Sequence, residues 1–471
     1  MKLINEIYIN GEFVKPHGTE TFDLINPTNQ ELLGKVTLGD VADTQNAIAA
    51  AKEAFKRFSQ TTIEERIGYL EKMHDAVLKR KQQLIDVMVE EYGAPVQFAA
   101  ASFQYAISSI SVNIDILKRF EFTRKMGNAV ITQNPVGVVG IIIPWNASNG
   151  YICTKLSTAI AAGCTTVIKP SEMSALQTQV ITECLHEIGL PEGVFNIVNG
   201  LGNVVGAEIT RNPGIAKISF TGSTVVGKKI ARDGAETLKR LTLELGGKSA
   251  NIVMEDADLS VAIPQSLGLA FMNSGQACIA ATRLLVPEHK LEEVKAIIKN
   301  SIGYIKVGEP KNETTNIGPM VSAKQYERVQ GYIKEGIEEG AEILVGGLGH
   351  PKGLENGNYV KPTVFVNVTN DMRIAREEIF GPVLSVLTYT KLEEAIDIAN
   401  DSTYGLAAYI QTNDKEKAYH VANLLEAGTV AINGFNQEPL APFGGMKQSG
   451  IGREFGEYGL VEYLEPKSIL F

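Results

Sequence analysis

The chain lacks an apolar run long enough to cross a membrane. Its longest, "PVGVVGIIIPW" (135–145), falls well short of the roughly 20 residues a spanning helix needs. It lacks a basic excess too. The 44 Lys and Arg against 54 Asp and Glu leave a formal net charge of −10, and no basic stretch offsets it locally. That argues against a nucleic-acid or anionic-membrane partner. Cysteine is scarce: Cys153, Cys164, Cys184 and Cys278 have no paired spacing, so no disulfide framework is expected and a reducing, cytoplasmic setting is the simpler reading. The histidines are scattered and no Cys/His cluster has metal-ligand spacing, so no metal is expected. The opening "MKLINEIYINGEF" is broken by Asn5 and Glu6 and lacks the apolar stretch of a secretory signal. Repeats and low-complexity segments are missing as well. What remains is a soluble protein of ordinary composition, and at 471 residues it is too long for one core.

The chain opens with short strand-like pieces, "EIYIN" and "FDLIN", around the turn-like Asn10-Gly11. Helical periodicity runs from about Val41 to Phe120, with breaks near Gln60, Arg80 and Gly93-Ala94-Pro95. From Gly137 short β-rich runs ("GVVGIII", "TTVIK", "VFNIV", "AKISF", "RLTLEL") alternate with amphipathic stretches. This predicts a parallel sheet covered on both faces, with ligands bound beyond the carboxyl ends of its strands. Those ends carry Asn146, Lys169, Asn199-Gly200, Thr221-Gly222-Ser223 and Glu244, all polar or glycine. A second α/β region from about Lys248 to Ile432 has further strand-like runs, from "ANIVM" to "TVAIN". Two more, in "EFTRKMGNAVITQNPVG" and "LVEYLEPKSILF", fit neither sheet. Pairing with another subunit would satisfy their edges.

The glycines of "NGLGNVVG" fail the G-x-G-x-x-G dinucleotide fingerprint because Val205 stands where glycine is needed, and alone they fit an ordinary tight turn equally well. "FTGSTVVG" repeats the design one unit later, with Ser223 at a helix start whose free N–H groups suit a phosphate. Two such turns in adjacent units favour a dinucleotide. In "IKPSE", Glu172 is either a favourable acid at a helix N-terminus or, with Lys169, a contact to ribose hydroxyls. Glu244 in "LELGGKS" is either an ion-pair partner of Lys248 or a partly desolvated base; Gly246-Gly247 removes the helical spacing that the pair would use. Cys278 lies in "FMNSGQACIAATR". Free cysteine is often buried and inert. Asn273, Ser274, Gly275 and Gln276 predict instead a polar, flexible loop, and Ala277, Ala280 and Ala281 leave space for a substrate. With no histidine beside Cys278 in the sequence, Glu244 is the available carboxylate base.

As an ordered set, "PWN", "KPSE", "FTGSTVVG", "LELGGKS", "GQACIAATR", "EEIFGPV" and "PFGGMKQSGIGRE" resemble the NAD(P)-dependent aldehyde dehydrogenase superfamily over essentially the whole chain. The resemblance implies an α/β fold: a Rossmann-type cofactor domain (1–120 and 137–246), an α/β catalytic domain (247–435), a β-strand oligomerisation arm (121–136 and 455–471) and a loop at the active-site mouth (436–454). It implies that Cys278 attacks an aldehyde as a thiolate, with the Asn146 amide and the Cys278 N–H holding the oxyanion. Hydride then leaves to NAD, and Glu244 acts as general base for hydrolysis of the thioester. Lys155 and Glu454 match positions that complete a proton path from Glu244. NAD is the implied cofactor and NADP the lesser alternative, because Glu172 would repel a 2′-phosphate. The implied cofactor contacts are Lys169 and Glu172 at the adenosine ribose, Gly202, Gly222 and Ser223 along the pyrophosphate, and Glu378 at the nicotinamide ribose beside Phe380. Ile142, Pro144, Trp145, Asn146, Ser171, Gly206, Phe220, Thr221, Gly227 and Leu245 complete the implied set. A homodimer or homotetramer is implied as well.

One departure stands out. Family members often follow "PWN" with a bulky aromatic and a proline, whereas here Ala147-Ser148-Asn149-Gly150 follows. A wider, more polar substrate passage is expected, with Ala147, Tyr151, Thr154, Met272 and Phe443 as its candidate contacts. The competing readings are a CoA-acylating semialdehyde dehydrogenase and a catalytically idle relative. Retention of Glu244 speaks against the first, and intact Cys278, Glu244 and Asn146 against the second.

Overall fold

Four helices fill the stretch that the periodicity marks: α1 (Val41–Phe58), α2 (Ile63–Lys79), α3 (Lys81–Tyr92) and α4 (Val96–Leu117). Local chemistry sets their ends. Asp40 and Thr62 form capping boxes with Asp43 and Glu65, and Gly93 ends α3 at φ 80°, a left-handed conformation that glycine adopts without a Cβ penalty. The computed structural model describes residues 2–436 and 438–471. Among these residues no helix is long and apolar enough to cross a membrane.

Five strands, β1 (Val138–Ile142), β2 (Thr165–Lys169), β3 (Phe195–Ile197), β4 (Lys217–Thr221) and β5 (Arg240–Glu244), pair in parallel in the order β5-β4-β1-β2-β3. Antiparallel pieces extend both edges: Gly450–Ile451 beside β5, and Ile7–Ile9 beside β3. Helices α5 (Ser148–Ala162), α6 (Ala175–Glu187) and α7 (Thr224–Ala235) follow β1, β2 and β4. The sheet is buried on both faces. Val139, Ile141 and Ile168 join a core shared with α2 to α6, while Val138, Ile142, Val167, Ile218, Phe220 and Leu243 join one shared with α1 and α7. Side chains alternate between the faces along each strand. On β4 and β5 that alternation turns Lys217, Ser219, Thr242 and Glu244 away from the apolar side, yet all four are buried.

The second sheet contains β6 (Ala250–Val253), β7 (Arg283–Pro287), β8 (Glu342–Val345), β9 (Thr363–Val366), β10 (Val383–Tyr389), β11 (Ala407–Gln411) and β12 (Thr429–Ile432), in the order β8-β9-β10-β7-β6-β11-β12. Only the β8–β9 pair is antiparallel. Helix α8 (Leu259–Phe271) joins β6 to β7, and α9 (Ala323–Glu338) precedes β8. The segments expected to fit neither sheet form Thr123–Met126, Ala129–Pro135 and Leu464–Leu470. These three pair with one another in a separate antiparallel sheet, so part of the edge expected to need a second subunit is satisfied within one chain.

Candidate active site

A cavity of about 770 Å³ opens beyond the carboxyl ends of the first sheet, where loops from the second sheet face it. Pro144, Trp145 and Asn146 after β1, Glu172 after β2, Thr221-Gly222-Ser223 at the end of β4 and Glu244-Leu245-Gly246 at the end of β5 line one side. Tyr151 of α5, Cys278, Gln325 and Arg328 of α9, Glu378 and Phe380 line the rest. A parallel sheet exposes its ligand crevice there because the connecting loops diverge beyond the strand ends.

The loop that presents Cys278 is polar but fixed, which corrects the expectation of flexibility. After α8 the chain passes through three left-handed residues: Asn273 (φ 50°), Ser274 (φ 60°) and Gly275 (φ 72°). Two are not glycine, so the turn is strained and needs support from its surroundings. Ser274 Oγ accepts from the Gly318 N–H at 2.8 Å, and Asn273 Nδ2 donates to the Gln276 carbonyl at 3.0 Å. Gln276 Nε2 donates to the Pro319 carbonyl at 3.2 Å while its Oε1 accepts from the Val321 N–H at 3.0 Å. The amides and hydroxyl that read as solvent-seeking are buried and bind backbone instead. Cys278 keeps part of its surface open, whereas Cys153, Cys164 and Cys184 are buried. Burial, then the charges of Glu378 and Glu244, push the Cys278 thiol up to about 12.

Asn146 lies at the same spot. Its Nδ2 donates to the Gln276 carbonyl at 3.0 Å, the acceptor that Asn273 also uses, and this holds the amide against the Cys278 loop. Glu244 is buried, and neither of its carboxylate oxygens has a hydrogen-bond partner among the described residues. Burial first, and the charge of Glu454 second, raise its pKa well above the carboxylate range. A carboxylate in that state accepts protons near neutral pH. Behind it, outside the cavity, Lys155 Nζ donates to Glu454 and to Ser219 Oγ, the latter at 3.0 Å. Glu378 accepts from the Gly247 N–H at 3.2 Å, and burial pushes it up to about 7. Phe380, at φ 61°, sits edge-on to Trp145 with ring centroids 5.5 Å apart, and Gln325 Nε2 holds its carbonyl at 2.8 Å.

The other sequence-derived residues fall into two groups. Ile142, Lys169 and Gly206 are mutual neighbours beside the cavity, since a Cβ on Gly206 would lie 3.7 Å from the Lys169 side chain and 3.9 Å from that of Ile142. Lys169 Nζ is 3.4 Å from Glu172 Oε2, and Ser171 caps the short turn that follows. Phe220 packs under Gly222, and Leu245 packs on Gly227. Gly202 starts the turn before Gly206. Of the residues expected at the substrate passage, Ala147 is the residue before α5, Met272 packs against a small apolar cluster that Phe435 also borders, and Phe443 lies tilted against Phe455 with ring centroids 5.6 Å apart. Thr154 turns away, donating to Ser109 on α4 at 3.1 Å. Sequence reading missed Gln325 and Arg328, which line the cavity from α9. They look like any polar face of an exposed helix, and only the tertiary fold reveals their position. No group of His, Cys, Asp and Glu able to hold a metal occurs among the described residues.

A thiol and a proton-accepting carboxylate facing one cavity, at the mouth of a nucleotide-type sheet, form the layout of an enzyme that works through a covalent thiol adduct. Residues 13–469 match the model of the aldehyde dehydrogenase family, and the chain belongs to that family. Among solved structures it is similar to aldehyde dehydrogenase C of Pseudomonas syringae, a cysteine-to-alanine variant in complex with NAD+ and octanal. The two share 43% identity over 99% of this chain and 96% of that one, with a TM-score of 0.98. An aldehyde dehydrogenase of Bartonella henselae is 40% identical over 100% of both chains, with a TM-score of 0.98. One from Mycobacterium tuberculosis, complexed with NAD+, is 38% identical over 100% of this chain and 98% of that one, with a TM-score of 0.97.

Proposed function

We propose that the chain oxidises an aldehyde to a carboxylic acid with NAD, through a thioester on Cys278. The observation that carries this reading is the buried, unpartnered carboxylate of Glu244 lining the same cavity as Cys278. The cavity suits a dinucleotide. Thr221 Oγ1 and Asn199 Oδ1 are buried without a hydrogen-bond partner among the described residues, and Ser223 caps the N-terminus of α7, where N–H groups suit a phosphate. Glu172 at the rim supports NAD over NADP, because its charge opposes a 2′-phosphate. The residues that would hold the cofactor are Lys169 and Glu172 at the adenosine end, Gly222 and Ser223 at the phosphates, and Glu378 and Phe380 at the nicotinamide end.

A nicotinamide held in this cavity supplies the hydride acceptor. Cys278 Sγ, as the thiolate left once its proton has gone to solvent, bonds to the aldehyde carbon, and the Asn146 amide with the Cys278 N–H stabilises the resulting oxyanion. Loss of hydride leaves the acyl group on sulfur. Glu244 takes a proton from water, whose oxygen attacks the thioester, and the C–S bond breaks to release the carboxylic acid and the Cys278 thiolate. Passage of that proton to Glu454 and Lys155 frees Glu244 for the next cycle. The first sheet serves as the cofactor domain, and the second, with its Cys278 loop, as the catalytic domain. The small residues after "PWN" support a wide passage for larger aldehydes, bounded by Tyr151 and Phe443. Free cysteines support a reducing, cytoplasmic setting. The exposed Leu464–Leu470 strand supports a homodimer or homotetramer. Cys278→Ser tests the reading: NADH formation from aldehyde should fall by orders of magnitude while NAD binding survives. Near-normal turnover would refute it.

A further inference from the structure

One short segment laces the two large sheets together. Met446–Lys447 pairs antiparallel with Tyr404–Gly405, which leads into β11 of the second sheet. Just beyond, Gly450–Ile451 pairs antiparallel with Leu243–Glu244 at the end of β5 in the first. Gln448 is held from both sides: its N–H donates to the Thr403 carbonyl at 3.0 Å, and its Oε1 accepts from Lys228 of α7 at 2.8 Å. Ser449, between the two pairs, is fully buried.

Ser449 bonds to both sides of this junction. Its carbonyl accepts from the Leu245 N–H at 2.9 Å, and its Oγ accepts from the Gly405 N–H at 2.9 Å. The same hydroxyl donates to the Gly246 carbonyl at 2.6 Å. That carbonyl and the Gly247 N–H belong to one peptide group. The N–H donates to Glu378 Oε1 at 3.2 Å, so Ser449 and Glu378 hold opposite ends of a single peptide plane. The plane is wedged as well. A Cβ on Gly246 would stand 2.4 Å from the Glu378 carboxylate, and one on Gly247 would stand 2.6 Å from the Cys278 carbonyl. Both positions therefore call for glycine, and a peptide between two glycines is the kind most free to turn over. A flip would aim a carbonyl, in place of an N–H, at Glu378.

We propose that Ser449 is a positioning residue for the cofactor: by holding the Gly246–Gly247 peptide in one orientation, it keeps Glu378 set for the nicotinamide ribose. The inference rests on the reading of Glu378 as a cofactor contact. A hydroxyl that accepts from Gly405 is polarised toward Gly246, and the peptide passes that polarisation to its own N–H, which strengthens the last bond of the row. Burial raises the pKa of Glu378 to about 7, while the Gly247 N–H, Arg328 and Lys248 favour its charged form. Cys278 and Tyr404 are the other titratable groups coupled to it. With the N–H turned away, one of the influences that hold this pKa down is lost, and the carboxylate stays protonated to higher pH.

Ser449→Ala removes the hydroxyl and leaves the backbone pairs available. Trp145, the chain's single tryptophan, lines the cavity, so quenching of its fluorescence reports NAD binding to the full chain across the neutral pH range. Ser449→Ala should weaken NAD about tenfold near neutral pH and move upward the pH below which affinity is lost, while the KM for aldehyde stays within about twofold. Glu378→Ala, made alone and together with Ser449→Ala, separates positioning from general structural support. In the Glu378→Ala background the effect of Ser449→Ala should shrink to within about twofold, because the group it acts through has gone. Equal losses in both backgrounds overturn the proposal, as does a Ser449→Ala chain that binds NAD like wild type. If Glu378→Ala alone binds NAD and forms NADH like wild type, the reading of Glu378 falls and the positioning role with it. Should Ser449→Ala fail to fold, Ser449→Cys takes its place. Its thiol keeps the shape and donates weakly, so the same loss should appear in smaller measure and vanish with Glu378→Ala.

Discussion

Cys278 is the residue at which environment and chemistry pull against each other. A nucleophile needs its thiolate, yet enclosure and two nearby carboxylates, Glu378 and Glu244, favour the neutral thiol. The raised pKa has a signed consequence. Below it the residue is mainly thiol, so the rate of alkylation by iodoacetamide should go on climbing with pH beyond the region where an ordinary cysteine levels off. Glu378→Gln removes one opposing charge and should move that climb to lower pH by about one unit or less. A pH–rate profile of the unliganded protein measures both, and a plateau in the ordinary thiol range would contradict the enclosure. Cationic charge brought in by the cofactor would act in the opposite sense, which fits a nucleophile that stays quiet until its partner is bound.

Among the elements, the turn from Asn273 to Gly275 is the most constrained. A Cβ on Gly275 would stand 2.2 Å from the Gly381 backbone, and the φ of 72° adds strain for any other residue. Gly275→Ala should therefore cost about 1–3 kcal/mol in denaturant unfolding. Its loss of aldehyde oxidation should exceed the fraction unfolded, because the loop must shift to admit the methyl. Much of the element structure was legible in the sequence. The helix breaks at Gln60 and Gly93 match caps that Thr62 and Gly93 provide, the break at Arg80 falls between α2 and α3, and the strand-like runs after Gly137 became strands of the first sheet. Cys278 and Glu244 could be picked out because small and glycine neighbours are unusual around a core cysteine and at the end of an apolar strand. The loop rigidity could not, since Gln276 is tied to Pro319 and Val321, residues more than forty positions away. The polar face of β4 and β5 was visible as alternation in "KISFT" and "RLTLE", but alternation ordinarily marks a solvated face. Only the packing of α5 and the C-terminal segment shows that this one is buried.

On the scale of the whole molecule, the three-stranded sheet stands apart from both large sheets. Its Leu464–Leu470 strand pairs with Ala129–Pro135 on one edge, and Met126, Leu470 and Phe471 stay exposed. Apolar surface of this kind on an unprotected strand suits pairing with a second copy, as the proposed arm requires. A chain truncated before Leu464 should sediment as a smaller species than the intact protein in analytical ultracentrifugation. A full-length protein that already sediments as a monomer would contradict the arm. The truncation should also slow turnover, because the adjoining Glu454 to Tyr463 segment packs against the polar face of β4 and β5 that carries Glu244.

The central claim is that Cys278 carries the acyl group and Glu244 removes it. Glu244→Gln keeps the shape of the side chain and takes away the proton acceptor. Mixed with NAD and an aldehyde, then quenched and weighed intact, this variant should release about one NADH per chain and retain the mass of one acyl group, which peptide mapping places on Cys278. Sustained turnover with no adduct in that variant would contradict the claim, because the thioester would then be hydrolysed without Glu244.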